Sequence, residues 1–337
     1  MAGDRRGETA LIKALRRHRT RPPARLRGPQ NLLFGIALYF VATLLFTIMG
    51  ALVRYIGLRV PIGEVVFARS LFALLPLVAW LLWRGEIRTA LRTKRPWRHV
   101  MRGVFGVIAL VFMFAGLARL PLAEATAIGF ATPLFTVVLA AIFLGERVRL
   151  FRWSAVAFGF VGVLVMLTPY LGHVEADMGS ALGAGLTLAG AFLVSIVMTQ
   201  VRAMSRTETT ASLVFSYTAI ATIGGLATIP WGWIVPDPID ALVLVGIGIC
   251  GGTAQICITE SYRHAPASLV APFAYTGMIW SIVIGFLVFN EVPPVVVLVG
   301  AALVMAAGLA VIWRERRLGL DRTQEKLADT PPGPAAV

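Results

Sequence analysis

Charged side chains are scarce in this chain, and acidic ones scarcer than basic: 14% of the 337 residues are charged, with 17 Asp and Glu against 31 Lys and Arg. A soluble globular domain is about 25% charged and about 45–50% apolar. Here 58% of residues are apolar and mean hydropathy is +0.80, which excludes an ordinary soluble domain and places the chain in the membrane class. Cysteine is limited to Cys250 and Cys257. Seven positions apart on a helix, they stand about 10.5 Å apart along its axis, too far for a disulfide, and read as small buried hydrophobes. The four histidines (His18, His99, His173, His264) lie in different segments without ligand spacing, so no metal or other cofactor is expected. Neither H-E-x-x-H nor G-x-S-x-G occurs, which leaves an intramembrane enzyme without its chemistry. Residues 1–31 are basic but lack the apolar core of a cleavable signal peptide.

What the chain has is long apolar runs, and one of them organises the rest. It extends from Leu120-Pro121-Leu122-Ala123-Glu124 to Phe143-Leu144-Gly145-Glu146-Arg147, and a bilayer crossing takes about 20 such residues. A shift of 145 positions brings Pro121 onto Pro266 and Glu146 onto Glu291, with Gly103, Gly106 and Ala109 falling on Gly248, Gly251 and Ala254. Earlier in the chain a shift of 148 brings Gly35 onto Gly183, Arg54 onto Arg202 and Phe67 onto Phe215. The chain is therefore two copies of one unit.

Apolar runs lie at about 32–53, 60–83, 103–117, 121–144 and 153–167, then at 180–201, 211–231, 241–259, 266–289 and 295–313. The expected fold is an all-α integral membrane protein: ten transmembrane helices as two inverted five-helix repeats, 32–168 and 180–313. A basic cytoplasmic tail (1–31) precedes them, and a disordered cytoplasmic tail (314–337) follows. Orientation follows from loop Lys and Arg. With the amino terminus in the cytoplasm, 27 of the 31 basic residues fall on the cytoplasmic side; Arg54, Arg59 and Arg119 fall opposite, and Arg69 lies within a span. This clustering between apolar runs also argues against nucleic acid as the cause of the +14 net charge. Five spans per copy make the copies opposite in topology, an architecture of transporters that alternate access at the repeat interface.

The Leu120–Ala127 stretch with Leu144-Gly145-Glu146-Arg147, and its weaker copy Ala265-Pro266-Ala267-Ser268 with Phe289-Asn290-Glu291, resemble the EamA-type domain of the drug/metabolite transporter superfamily. The resemblance covers about 32–313. It implies a ten-helix secondary carrier of a bacterial inner membrane, with four helices of each repeat lining a cavity and the fifth at the edge. Members carry solutes such as amino acids, riboflavin or S-adenosylmethionine. The partners expected are a small-molecule substrate and the lipid bilayer, with no nucleic acid and a homodimer left open. A lipid-substrate flippase is the alternative.

Ionisable groups inside spans are costly and usually face a cavity or a partner. Arg69, near mid-depth, has Tyr217 as its repeat mate, so its charge belongs to one copy only; it is expected to bind substrate or hold a carboxylate. Glu64, about 140° around the helix from Arg69, is either a solvated end residue or a substrate contact or proton acceptor. Glu124 either answers the helix dipole at the start of the fourth span or serves the cavity mouth. Glu260 has Arg263 three residues on as a structural partner. Tyr217, Gln255, Tyr275 and Trp280 complete the substrate-binding or coupling candidates. Pro133 and Pro272 interrupt the fourth and ninth spans at positions that do not match in the repeat register. Gly246-Ile247-Gly248-Ile249-Cys250-Gly251 satisfies G-x-G-x-x-G, but inside a span it reads as close helix packing through Gly248 and Gly252.

Overall fold

The computed structural model describes residues 31–328, apart from 94, 145–147, 149, 171–177 and 206. The extreme amino-terminal tail, Glu146 and the last nine residues thus lie outside the described residues. The first five spans are Leu32–Ile56, Ile62–Trp83, Pro96–Leu117, Leu122–Leu144 in two pieces, and Leu150–Leu167. The second five are Met178–Met204, Thr210–Leu226, Pro238–His264, a broken Ala267–Phe289, and a tenth helix starting at Val295. Among the described residues nine helices are long and apolar enough to cross a membrane, and Thr210–Leu226 is a shorter apolar tenth of 17 residues. The 211–231 run ends early because its close forms a separate 3-10 turn, Ile229–Trp231.

Side-chain caps set several starts. Asn31, Thr209 and Asp237 accept the backbone N–H of Phe34, Ser212 and Asp240 at 3.1, 3.2 and 2.7 Å, satisfying donors that the first turn leaves orphaned. The first span stops at Gly57, whose φ of +57° is left-handed backbone that glycine adopts without a Cβ penalty. The tenth helix runs on to Ala328, past the Trp313 that closes its apolar part. Sequence 314–328 is rich in Arg, Glu, Leu and Lys, strong helix formers, and the Arg314 and Arg317 guanidinium groups lie 4.3 Å from the ring centroids of Phe151 and Trp313.

The copies interleave. The first span packs on the eighth, and its mate the sixth packs on the third; the second packs on the seventh and the fifth on the tenth. Glycines set the closest approaches. Gly103 faces Ile220 and Gly106 faces Tyr217, third span against seventh; Gly248 faces Phe72 and Gly251 faces Arg69, eighth against second. Ile220 and Phe72 are mates at the 148 shift, as are Tyr217 and Arg69. One helix contact therefore occurs twice, inverted.

The fourth and ninth spans both break. Pro133 has no N–H for the Gly129 carbonyl and its ring crowds that oxygen; the helix stops at Gly129 and restarts at Ala131. Pro272 acts likewise on residue 268, and the chain passes through a 3-10 turn, Ala271–Tyr275, before Thr276. Although the prolines are out of register, the breaks end on repeat mates, Phe130 and Tyr275. Their rings meet edge to face, centroids 5.2 Å apart.

Candidate functional site

A cavity of about 360 Å³ lies against these breaks. Its wall takes Tyr39, Thr43, Phe46, Thr47, Met49 and Gly50 from the first span and Met113, Phe114 and Leu117 from the third. The fourth adds Leu122, Ala125, Thr126, Gly129 and Phe130, the sixth Thr187, the eighth Ile258, and the ninth Ala274 and Gly277. Repeat mates line it in pairs: Tyr39 with Thr187 at the 148 shift, Met113 with Ile258 and Gly129 with Ala274 at 145. The cavity thus straddles the axis relating the two copies. Three of the first four helices in each copy contribute. The second and seventh do not, since they pack on each other behind the glycine faces of the third and eighth.

The wall carries no formal charge. Its polarity is hydroxyl, and the helices use up the hydroxyl protons. Thr47 donates to the Thr43 carbonyl at 2.9 Å, Thr126 to Leu122 at 2.8 Å and Thr187 to Gly183 at 2.9 Å. Each oxygen keeps lone pairs for an outside donor. Thr43 and Thr276 bring their hydroxyl oxygens within 2.9 Å across the repeat boundary. Their mates are Ala191 and Ala131, which pack in an apolar cluster with Leu134 and Met278. Tyr39, Phe46, Phe114 and Phe130 supply aromatic surface. Such a wall suits a solute with flat apolar parts and N–H or O–H donors.

None of the eight residues singled out from the sequence is in the wall itself. Arg69 is buried at 6% exposure and meets Gly251 together with Met49, which does line the cavity. Its Nε has no hydrogen-bond partner among the described residues. Glu64 is buried, not solvated, and accepts the Ile234 N–H at 3.3 Å. Glu124 is buried within electrostatic range of Glu291 and Arg54. The first N–H of its helix goes instead to an acid of the other copy: Glu291 Oε2 accepts Leu122 N–H at 2.8 Å. Tyr217 lies on Gly106 beneath the Arg102 guanidinium, 5.2 Å from the ring centroid. Gln255 offers its backbone carbonyl to the Thr259 hydroxyl at 2.8 Å. Tyr275 meets Phe130 edge to face at the breaks, and Trp280 packs on Phe40 with centroids 5.0 Å apart. The cavity threonines do not stand out in the sequence as ionisable, amide and aromatic side chains within spans do. Their signal was hydroxyls opposite alanines in the repeat register, as at Thr43 and Thr126.

Ion pairs tie the copies together on both sides of the bundle. On the amino-terminal side Arg84 reaches Glu260 at 2.8 Å and Glu86 at 3.2 Å, while Arg263 reaches Glu86 at 3.0 Å and Glu260 at 3.2 Å. Glu260 therefore pairs in both copies. Partial burial raises the Glu86 carboxyl, but the hydrogen bonds and charges of Arg263 and then Arg84 outweigh it and hold the group below the usual glutamate range. Opposite, Arg54 reaches Glu291 at 3.1 Å and the Ala118 carbonyl at 3.1 Å, and Arg59 reaches Asp240 at 3.0 Å.

A helical membrane bundle made of inverted repeats, with a cavity on their common axis, defines a multi-pass transport protein rather than an enzyme. The chain belongs to the EamA-like transporter family, whose model matches residues 33–168 and again 181–313. It is similar to an S-adenosylmethionine uptake transporter of Rickettsia prowazekii, 27% identical over 84% of this chain and 94% of that protein. A pseudopaline exporter of Pseudomonas aeruginosa is 29% identical over 82% of this chain and 95% of its own. A riboflavin transporter of Rhizobium johnstonii is 30% identical, covering 86% and 94%. A solved crystal structure shares the fold, with a TM-score of 0.59 at 22% identity over 84% of this chain and 98% of that one.

Proposed function

We propose that this transporter moves a small metabolite across a bacterial inner membrane by alternating access, with both termini in the cytoplasm. The observation that carries the reading is the cavity lined by repeat mates: a site on the axis of inverted repeats is presented to one side or the other as one copy rocks against its twin. The ion pairs at the two rims, Arg84 and Arg263 with Glu86 and Glu260, and Arg54 with Glu291, are the contacts to be opened in turn. The named relatives are transporters of S-adenosylmethionine and riboflavin and an exporter of pseudopaline, and an aromatic, hydroxyl-lined wall fits a small metabolite with a flat part and hydrogen-bond donors. Tyr275 at the break and Glu64 and Glu124 on buried helix ends are the substrate or proton-coupling candidates.

The test is flux in proteoliposomes holding the full chain, against S-adenosylmethionine, riboflavin and amino acids, in both directions. Saturable flux of a panel member that cross-linking of the two copies stops is the expected result. Translocation of labelled phospholipid without solute flux would replace this reading with the flippase. Glu64→Gln combined with Glu124→Gln is expected to abolish pH-driven flux; undiminished flux removes both from the coupling.

A further inference from the structure

Arg69 has no evident structural reason to be charged. It lies on the second span about 10.5 Å along the helix from Ile62, with 6% of its surface exposed. Among the described residues no carboxylate, carbonyl or hydroxyl accepts a hydrogen bond from its guanidinium, and Nε is sealed without a partner. A charged group buried in a protein is ordinarily answered by a hydrogen-bond acceptor or a counter-charge. Other arginines in or beside the spans are answered: Arg54 by Glu291, Arg84 and Arg263 by Glu86 and Glu260, and Arg102 by the Leu213 carbonyl at 2.6 Å and the Tyr217 ring.

The position has a direction. Arg69 Nε and Met49 Sδ both meet Gly251, at 3.3 and 2.8 Å from where a β-carbon would stand. Met49 belongs to the cavity wall. A thioether of the cavity wall, unbranched and adaptable, therefore shares its contact point on Gly251 with an unanswered cation. Glycine at 251 leaves room for both. In the inverted copy the same place holds Tyr217 against Gly106, so the charge is not demanded by the packing of this helix pair.

We infer that Arg69 is the anchor for a carboxylate on the transported solute, reached when Met49 swings aside. This inference rests on the transport reading above and narrows it to solutes with a carboxylate beside a donor-bearing, partly flat body. The guanidinium fork grips the planar carboxylate through two parallel N–H···O bonds, while Thr43, Thr47, Thr126 and Thr187 accept the solute's N–H and O–H groups. Until a solute arrives, the protein carries the uncompensated charge, and solute binding relieves it.

Two arms test this on the full chain. In detergent, Arg69→Met and Arg69→Gln are each expected to melt above the parent by about 2–4 °C, because an unanswered charge is removed, and acetate is expected to stabilise the parent but not Arg69→Met. Variants that melt lower would make Arg69 a structural partner and overturn the assignment; stabilisation by inorganic phosphate without acetate would overturn the carboxylate. In proteoliposomes the probes are S-adenosylmethionine and its decarboxylated form, which differ by the one group. The parent is expected to prefer the former, Arg69→Met to lose that preference with a fall of roughly 30-fold in uptake, and Arg69→Lys to fall between. Equal uptake of the two probes by the parent overturns the anchor while leaving transport intact. Uptake of neither counts against the transport reading for this solute, and the melting arm then decides on Arg69 alone.

Discussion

The same helix contact is built twice in this molecule, and the two versions differ where it counts. Between the third and seventh spans, Tyr217 lies on Gly106 and Arg102 covers its ring while donating to the Leu213 carbonyl. Between the eighth and second spans, Arg69 occupies the mate position on Gly251, its Nε unpartnered, beside a methionine of the cavity wall. Duplication supplies the scaffold, and at these two mate positions the copies fill it with different chemistry.

The largest effect is expected from the glycines that make both versions possible. A β-carbon at Gly248 would crowd Phe72 and stand 3.0 Å from the Ala68 carbonyl oxygen, an obstacle of backbone, whereas at Gly103 its three nearest neighbours are all Ile220 side-chain atoms. Overpacking costs about 1–3 kcal/mol, so Gly248→Ala should sit at the top of that range and Gly103→Ala below it in detergent unfolding. The reverse order would mean that the two contacts are not equivalent. Next comes the arginine pair. Arg102→Met strips the Leu213 carbonyl of its donor and should cost about 1–3 kcal/mol, opposite in sign to Arg69→Met; shifts of the same sign in melting temperature would break the contrast. Glu291→Gln weakens the cap on Leu122 from charged to neutral and loses the charge facing Arg54, and should cost about 1 kcal/mol or less, with faster hydrogen exchange at the Leu122 amide as the local readout.

The smallest effect is at Glu86. Its carboxyl is held below the ordinary range, so it binds fewer protons folded than unfolded. Its contribution is present above the unfolded value of about 4.3 and is lost as pH falls through the lower folded value. A melting difference between Glu86→Gln and the parent should exist at pH 7 and vanish in strong acid; one that grows on acidification would refute the assignment.

The spans and their twofold repetition were legible because both are written in one-dimensional patterns: apolar runs of bilayer length, and prolines, glycines and glutamates recurring at fixed shifts. The breaks were only half legible. Pro133 and Pro272 are visible, but that the interruptions converge on Phe130 and Tyr275 depends on where each proline's missing bond falls. Glu124 shows the limit of local reasoning, since its helix is capped by Glu291 from 169 residues away. For Glu64 the sequence left a solvated end residue and a functional contact both open, because the segment that covers it, around Ile234, comes from the other copy. The threonines of the wall were hidden by their chemistry: a hydroxyl bonded to its own helix is common in any span, and only the cavity gives it meaning.

Phe130 and Tyr275 differ by one hydroxyl, and the helices behind them differ to match. The phenolic oxygen of Tyr275 occupies the space beside Gly308, where any larger residue would collide. Phe130 packs against the cluster holding Val163, the repeat counterpart of Gly308. One elbow seats its hydroxyl in a gap on the tenth helix, and the other packs on a cluster that includes the fifth span. On the alternating-access reading proposed above, the arm ending in Tyr275 is expected to carry the tenth helix along, which would make the inward- and outward-facing shapes unequal and set the resting bias of the carrier at Gly308.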